Sequence, residues 1–362
     1  SLGKAKELVR RGMEEGAVGL ATGMSYFPNA WSDTEEIIEL CSVVAEFGGV
    51  YVTHLRDKNI DRGFGGGGIT EALEISKRSG VKLHFSHFRT DENTAGEVSN
   101  RIEEIDQAIS EGVDVSLELY PYPTGSTFPL SFFPSYAHEG GLAGLLEKLR
   151  NPNEKNLLAD YLDNDSPRPI NDAVFSYVAK APKYEGISLT RIAKEREVSL
   201  GTTICDILLE NEGEVGYWGS PPLSVAVWEQ INQDAMEFLS RPDYMVGSDS
   251  IPLGNYPHPR AYGTFPRVVG RFQRKYNAMP LEHTIQRITD NPARRFGLKQ
   301  RGKIQEGYFA DIVLFDPATI NDNATYDDPK QFPTGIPFVI VNGEVAVSKE
   351  ECTGTTTGRA IP

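Results

Sequence analysis

Short apolar segments alternate with amphipathic helical segments along residues 1–120, and this alternation restricts the fold more than any other feature of the sequence. The apolar segments predict four strands, at residues 17–24, 50–54, 81–88 and 113–119. Strands that are apolar on both faces and joined by single helices are typical of parallel β/α units buried on both sides. The chain is therefore predicted to be an α/β protein with a parallel sheet.

The regular alternation stops in the middle of the chain and returns in a different form. Residues 130–241 read as a long, mostly helical stretch rich in proline and polar side chains, which predicts an insert. A strand that ends in an acid follows at 244–249, and from residue 302 onward short β-branched runs with turns predict a small β domain. The expected division is an α/β domain over residues 1–300, with the insert at about 130–241, and a β portion over 301–362.

The charge and the cysteine content exclude several classes of protein. A formal net charge of -15 argues against nucleic acid and anionic membrane surfaces as partners. Three cysteines are too few, and odd in number, for a disulfide framework, and Cys41 is expected to be a buried small hydrophobe. No apolar run approaches the ~18 residues of a membrane span, and the scarcity of cysteine makes the cytoplasm the expected location.

Three of the predicted strands end in a side chain that can bind a metal or carry a proton: His54, His87 and Asp249. The carboxyl ends of parallel strands face one mouth in a β/α barrel, so these residues are expected to meet there. Imidazole and carboxylate are ligands of catalytic zinc, which keeps one position open for water. A single histidine at a strand end is more often a hydrogen-bonded core residue, but two histidines and an acid, each in its own β/α unit, favour a metal site.

The other histidines are interpreted differently. His84 lies three residues before the second predicted ligand and so points to the opposite face of its strand, which predicts a structural role. His138, in the irregular region, and His283, on a helix, are also interpreted as structural. The role of His258, in a loop beside Arg260, stays open.

The motif YPYPTGS follows the fourth predicted strand and carries two hydroxyl groups of interest, those of Tyr120 and Ser126. Hydroxyls at the mouth of a barrel can orient a substrate carbonyl or carboxylate. A rigid Pro-Tyr-Pro turn that packs aromatic rings is an equal alternative.

The motif GNYPHPRAYG follows Asp249 and contains Arg260. An arginine in a loop fixed by proline and glycine, beside a metal site, is suited to bidentate binding of a carboxylate. Arg89, two residues after His87, is a second candidate for the same task. A solvated surface arginine is the alternative for both residues, and above all for Arg89.

Several segments together match the motifs of one known family: GAVGLATGMSY, VTHLR, HFSHF, ELYPYPTGS, MVGSDSIPLGNYPHPRAYGTFPRV and NPARRFGL with GKIQEGYFADIVLFDP. Through these segments nearly the whole chain resembles the D-aminoacylase (N-acyl-D-amino-acid deacylase) family of the amidohydrolase superfamily. The block from GSD to PHPRAYGTFPRV is the most specific part, whereas ADIVLFDP marks the superfamily in general. The resemblance implies a metallo-dependent hydrolase with a distorted (β/α)8 TIM-type barrel, incomplete at its N-terminus in this chain, plus part of a small β-sandwich.

The resemblance also implies an activity and a role for each matching residue. Zn²⁺ held by His54 and His87 is expected to assist hydrolysis of N-acyl-D-amino acids to a carboxylate and a free D-amino acid. Asp249 is expected to take a proton from the metal-bound water and to pass it to the leaving amine. Zinc lowers the pKa of its bound water to roughly 7 and polarises the carbonyl. The residues expected to bind the substrate or line its pocket are Arg260, Tyr120, Ser126, Arg89 and Tyr26.

The chain departs from the family pattern in three places. Arg89 stands where family members often have lysine, which bears on the preference for acidic side chains, and the glycine-rich loop at 63–68 is unusual. The family's His-x-His pair on the first barrel strand and its metal-bound cysteine on the second have no counterpart here. The first recognisable strand corresponds to about the fourth of the barrel, so the chain is expected to supply roughly five of about eight strands.

An incomplete barrel exposes strand edges and apolar faces, which favours self-association. With only two strong ligands, the chain by itself is expected to bind zinc weakly and to have little activity. Stoichiometric zinc and turnover of N-acetyl-D-methionine would contradict this expectation.

Two other kinds of function stay open at this point. A cyclic-amide hydrolase of the hydantoinase or dihydroorotase kind, or a D-amino-acid dipeptidase, shares the metal strands and the ADIVLFDP segment, although the PHPR loop favours an open-chain acyl amino acid. The second alternative is a non-catalytic remnant that folds and associates without chemistry. The codons upstream of the gene segment distinguish this remnant from an enzyme.

Overall fold

The computed structural model describes residues 1–57, 63–171 and 173–361. Its strands are β1 (Gly19–Gly23), β2 (Val50–His54), β3 (Lys82–Phe85), β4 (Val115–Leu119), β5 (Ser126–Thr127), β6 (Ala173–Val178), β7 (Val215–Gly219), β8 (Tyr244–Val246), β9 (Ile312–Leu314), β10 (Phe338–Val341), β11 (Glu344–Ser348) and β12 (Glu351–Cys352). Its α-helices are α1 (Leu2–Glu14), α2 (Thr34–Glu46), α3 (Gly68–Ser79), α4 (Val98–Ser110), α5 (Gly141–Arg150), α6 (Pro152–Asn164), α7 (Leu189–Arg196), α8 (Leu200–Glu210), α9 (Val225–Ser240), α10 (Arg260–Arg267), α11 (Gln273–Tyr276), α12 (Leu281–Ile288) and α13 (Asp290–Arg295), with a π-helical turn at Val268–Phe272.

A five-stranded parallel sheet in the order β1-β2-β3-β4-β8 forms the centre of the α/β region. One α-helix lies between β1 and β2, one between β2 and β3, and one between β3 and β4, as the sequence predicts. Strands β2, β3, β4 and β8 are mostly buried because their side chains are largely apolar on both faces, whereas the edge strand β1 is partly exposed; Tyr51, Leu83 and Leu117 have no exposed surface. The described residues do not close this sheet into a barrel: β1 and β8 are its two edge strands. Self-association through such edges stays a prediction.

The insert contains a second sheet and a second core. The strands β5, β7 and β6 pair antiparallel in that order, and α5 to α8 pack beside them around a cluster that includes Leu158, Phe175 and Ile207. The sequence analysis expected a mostly helical stretch and missed β6 and β7. Helix α9, in contrast, packs on the first core through Phe238 and Leu239. The division into domains stays a prediction.

The C-terminal region forms one antiparallel sheet in the order β12-β11-β10-β9, a single layer of the expected sandwich. The segment before β10 is fixed to the α/β region by the buried Asp322. Its carboxylate accepts a hydrogen bond from Arg267 Nη1 at 3.0 Å and pairs with Arg271. The pair between Arg267 and Asp322 is buried, and it connects the C-terminal segment to α10.

Within the described ranges, no helix combines the length and the apolar character that crossing a membrane requires. Cys41 has no exposed surface and lies in the first core, as expected for a small hydrophobe.

Candidate active site

The three residues predicted at strand ends line one cavity of about 1100 Å³. His54 is the last residue of β2, whereas His87 lies two residues beyond β3 and Asp249 three residues beyond β8. His87 and Asp249 both have positive φ angles, 39° and 45°, which side chains other than glycine rarely adopt. These left-handed turns are where the chain leaves the sheet, and they direct both side chains to the cavity.

The two imidazoles are in direct contact. His54 Nδ1 lies 2.8 Å from His87 Nε2, and the ring centroids are 4.7 Å apart. Burial, together with the neighbouring His87, lowers the pKa of His54 to about 4. Burial lowers the pKa of His87 to about 4 as well, with Arg89 and Arg260 acting in the same direction. Both rings are therefore neutral at neutral pH.

The two histidines fit zinc as two of its protein ligands. Neutral imidazole is the form that binds a metal, and the facing nitrogens can direct their lone pairs to a single cation. A catalytic zinc has three protein ligands as a rule. In the portion of the chain that the structure describes, no group of three His, Cys, Asp or Glu side chains is arranged to hold a metal ion.

Asp249 forms an ion pair with Arg260, from its Oδ2 to the arginine Nη1 at 2.9 Å. The Asp249 side chain is 39% exposed at the mouth of the cavity, whereas the arginine side chain is 1% exposed beneath it. Arg260 Nη2 also donates to the carbonyl oxygen of Ser126 at 3.1 Å. Partial burial raises the pKa of Asp249, and the opposing positive charge of Arg260 is the main effect that lowers it. A carboxylate held in this way is oriented and still accessible.

Two guanidinium groups lie close to the ring of Tyr120. The central carbon of Arg260 is 4.4 Å from the ring centroid, and that of Arg89 is 4.8 Å from it. Arg89 Nη2 donates to the Tyr120 hydroxyl at 3.2 Å, and Arg89 Nη1 donates to the carbonyl oxygen of Pro123 at 2.9 Å. Arg89 is therefore half-buried in the cavity wall rather than a solvated surface residue. The result is a cationic side of the cavity in a protein with a strongly acidic composition.

Ser126 and Tyr26 also line the cavity. The Ser126 hydroxyl donates to the carbonyl oxygen of Tyr217 at 2.9 Å, so it joins β5 to β7. The Tyr26 ring lies 4.8 Å from the His54 ring, and its hydroxyl accepts a hydrogen bond from Thr127 at 3.1 Å. All eight residues that the sequence analysis selected thus lie in or directly behind this one cavity; their roles stay predictions.

Sequence reasoning missed Glu118, a carboxyl that lines the same cavity. It lies on β4, between β3 with His87 and β8 with Asp249, and accepts a hydrogen bond from the backbone N–H of His87. Burial, together with the nearby negative charge of Asp249, raises the pKa of Glu118 to about 7. A Cβ at Gly247 would lie 1.8 Å from Glu118 Oε2, so a larger residue at 247 would displace this carboxyl from its observed position. An acid inside the apolar run VSLELY was the available signal.

Sequence reasoning also missed the contribution of the insert. Arg168 reaches over the cavity from the insert and pairs with Asp57, three residues after the end of β2. His138, interpreted from sequence as structural, lines the cavity and stacks on Phe27 with the ring centroids 4.5 Å apart. The apolar and aromatic part of the wall consists of Phe27, Phe128, Leu130, Phe132 and Tyr217.

His84 provides the contrast with the cavity histidines. Its Nδ1 is hydrogen-bonded to the Ser116 hydroxyl at 2.7 Å, and its ring packs on Phe296 with the centroids 5.3 Å apart. These contacts lie within the packed interior, as the sequence predicts for a structural histidine.

Comparison with known proteins agrees with the motifs. A model of the amidohydrolase family (Amidohydro_3) matches residues 228–347. D-aminoacylase of Alcaligenes xylosoxydans xylosoxydans is 32% identical over 361 residues, which are 98% of this chain and 63% of that protein. A crystal structure of D-aminoacylase is 30% identical with a TM-score of 0.76, and the match covers 99% of this chain and 66% of that one.

A further solved structure is that of N-acyl-D-glutamate deacylase from Bordetella bronchiseptica, complexed with zinc and with a phosphonate inhibitor that mimics the tetrahedral intermediate. It is 28% identical, with a TM-score of 0.74, and the match covers 94% of this chain and 62% of that one. The chain spans less than two thirds of the length of these relatives. The motifs, the parallel sheet and the residues at the strand ends agree with these comparisons. The chain is a D-aminoacylase-like member of the amidohydrolase family.

Proposed function

We propose that the protein is a zinc-dependent hydrolase that cleaves the acyl amide of N-acyl-D-amino acids. The observation that carries the proposal is the meeting of two neutral imidazoles, His54 and His87, with the accessible carboxylate of Asp249 at one cavity. The D-aminoacylase and the N-acyl-D-glutamate deacylase that the chain resembles support the substrate class.

His54 and His87 are the residues that would hold the zinc ion. When bound, zinc polarises the amide carbonyl and lowers the pKa of a bound water to about 7. Burial keeps both imidazoles unprotonated, so no proton has to leave the site before the metal enters.

Asp249 is proposed to transfer the proton. As water adds to the carbonyl carbon, the Asp249 carboxylate accepts a proton from it and then donates that proton to the amide nitrogen. The carbon–nitrogen bond breaks, and the products are a carboxylic acid and the free amine. The contact of Arg260 Nη1 with one oxygen orients the Asp249 carboxylate for the first transfer, and the same N–H group can keep donating to that oxygen while Asp249 carries the proton.

The cationic side of the cavity is proposed to bind the substrate's carboxylate. Arg89 and Tyr120 form that side, with Ser126 at its edge, and Arg260 lies buried directly behind it against the Tyr120 ring. Tyr26 would line the pocket near His54, and the aromatic wall from the insert would take an apolar part of the substrate.

The test is a substrate panel measured with zinc on residues 1–362 and on the product of the whole gene. The product of the whole gene is expected to release D-methionine from N-acetyl-D-methionine, with much slower release from the L-enantiomer, whereas residues 1–362 alone are expected to have little activity. A hydantoin serves as the control for a cyclic-amide hydrolase. Faster turnover of the hydantoin, or no turnover by either protein when zinc is stoichiometric, would contradict the proposal.

A further inference from the structure

His258, whose role the sequence left open, is a completely enclosed histidine behind the cavity. Its side chain is 1% exposed, and its ring packs edge-on against Tyr122 and Tyr326, with centroid separations of 5.3 and 5.1 Å. Three arginines, Arg260, Arg89 and Arg267, act on it from the neighbouring elements. Burial and these charges keep the pKa of His258 well below its ordinary value, so the ring is neutral.

Each ring nitrogen of His258 has its own partner. Nδ1 accepts the backbone N–H of Arg260 at 3.1 Å. Nε2 lies 3.2 Å from the Thr124 hydroxyl and 3.3 Å from the Tyr326 hydroxyl, which are themselves 3.0 Å apart. A backbone N–H can only donate, so Nδ1 carries no proton, and the neutral ring has its proton on Nε2.

The ring thereby joins three segments that are distant in sequence. Thr124 belongs to the YPYPTGS motif, Arg260 to the PHPR motif, and Tyr326 to the C-terminal segment. Thr124 is 134 residues from His258, and Tyr326 is 68 residues from it. A single buried side chain thus fixes the relative position of two motifs that the sequence analysis assigned to substrate binding.

The N–H of Arg260 needs this acceptor. Arg260 is the first residue of α10, and the first N–H groups of a helix have no partner within it. The flanking residues Pro257 and Pro259 have no N–H groups and fix their own backbone angles. Since Arg260 is buried, its N–H would lack a partner without Nδ1, and an unpaired buried donor is unfavourable.

We propose that His258 is a positioning residue: its Nδ1 fixes the backbone at Arg260, and so holds the guanidinium against Asp249 and on the Tyr120 ring. Two contacts of Arg260 connect His258 to Asp249: its backbone N–H donates to His258 Nδ1, and its Nη1 pairs with Asp249 Oδ2. The consequence for catalysis rests on the proposed function, whereas the consequence for the Arg260–Asp249 pair does not.

The test compares two matched variants, His258→Asn and His258→Gln. The oxygen of asparagine falls near the position of Nδ1 and can accept the Arg260 N–H, whereas the amide nitrogen of glutamine falls near Nε2. Both variants leave a similar gap in place of the ring. The coupling between Asp249 and Arg260 is measured in each background by a double-mutant cycle of urea unfolding, with Asp249→Asn and Arg260→Gln.

The expected result is that the coupling remains in His258→Asn and is lost in His258→Gln. Equal coupling in the two variants would overturn the proposal, because the ring would then act only by filling space. If a variant does not fold, the proposal is tested by the tautomer of His258 in the unaltered protein. Long-range ¹H–¹⁵N spectra with labelled histidine show which ring nitrogen carries the proton. A proton on Nδ1, or a charged ring near pH 6.5, would be incompatible with the bond to Arg260.

Activity provides the second measurement. We expect kcat/KM for N-acetyl-D-methionine to fall about tenfold in His258→Gln, in the range seen when residues that orient a functional group are removed, and to recover in His258→Asn. Absence of hydrolysis in the unaltered protein would contradict the proposed function and leave the coupling and tautomer results to decide on His258. A decrease of the same size in both variants would speak against the positioning role.

Discussion

His54 Nδ1 and His87 Nε2 lie 2.8 Å apart, although the residues come from different strands and are 33 positions apart in sequence. Because both rings are neutral, one of the two nitrogens donates its hydrogen to the other, and a change of tautomer moves that hydrogen to the far nitrogen of its ring without releasing a proton. After such a change both facing nitrogens would carry lone pairs, as the proposed role of the two residues in zinc binding requires.

Replacing either histidine should therefore reduce zinc binding. We expect His54→Ala and His87→Ala each to lower zinc affinity at least 100-fold, a change beyond the roughly 10–100-fold that loss of an outer-shell partner causes. The matched control is His84→Gln, because His84 lies on β3, three residues before His87, but is hydrogen-bonded to Ser116 in the interior. Zinc content after dialysis against a graded chelator measures the effect. Equal zinc loss in the control would show that folding, and not ligation, is being measured.

Asp249→Asn should remove the proton acceptor and keep the shape of the site. We expect kcat to fall about 100-fold or more, the contribution typical of a positioned acid or base. Asp243→Asn is the control. Asp243 lies directly before β8, the strand that precedes Asp249, and its Oδ2 is 3.2 Å from Arg241 Nη2. It is not among the residues that line the cavity. Activity of Asp249→Asn within a few-fold of the unaltered protein would exclude the proposed role.

The buried pair between Arg56 and Glu71 should stabilise the loop after His54. Arg56 Nε donates to Glu71 Oε2 at 2.8 Å, with both side chains almost fully enclosed, and Arg56 also donates to the carbonyl oxygens of Ala30 and Ser32. Glu71→Ala leaves this guanidinium without its counter-ion, so the free energy of unfolding should fall by about 3–5 kcal/mol.

Urea unfolding of Glu71→Ala is to be compared with Glu111→Gln, which removes a solvent-exposed pair with Lys77. The surface variant should shift the unfolding midpoint far less, since exposed ion pairs contribute little. Similar shifts in the two variants would mean that the buried pair is not the link between α3 and the loop.

Acidification should destabilise the metal-free protein through His84. Burial, with Arg295 nearby, lowers the pKa of His84 to about 3, whereas an unfolded histidine has a pKa of about 6.5. Between these values the unfolded chain binds a proton that the folded chain does not, so stability is present above pH 6.5 and is lost as the pH falls towards 3.

The expected slope is up to about 1.4 kcal/mol of unfolding free energy per pH unit for this one group. His84→Gln should have a shallower dependence between pH 6.5 and 4.5 than the unaltered protein, measured by urea unfolding. An identical slope in the two proteins would refute this assignment.

The sequence predicted the parallel strands well and the insert poorly, for a physical reason. Strands buried on both faces, such as VYVTH, are continuous apolar runs that stand out between helices. Strand β6 reads AVFSYV and is equally suited to a sheet, but it is isolated among prolines and helices, and its partner β7 lies about forty residues further along. Pairing over that distance has no local signature.

The candidate site shows the same limit. His54, His87 and Asp249 were identified because each follows its own strand, and strand ends converge by rule. Glu118 was missed because an acid within a strand is ordinarily a solvent-facing residue, and only its neighbours show that this one is enclosed. The pair between Asp57 and Arg168 joins residues 111 positions apart, and no motif relates them.

Gly247 directly follows β8 and lies close to the carboxyl of Glu118 on the neighbouring β4. The residue types at these two positions therefore depend on each other. A methyl group at position 247 would displace the end of the glutamate, whereas a shorter residue at position 118 would leave room for that methyl group. Among natural variants of this protein, glycine at 247 should therefore accompany glutamate at 118, and the two positions should change together in evolution.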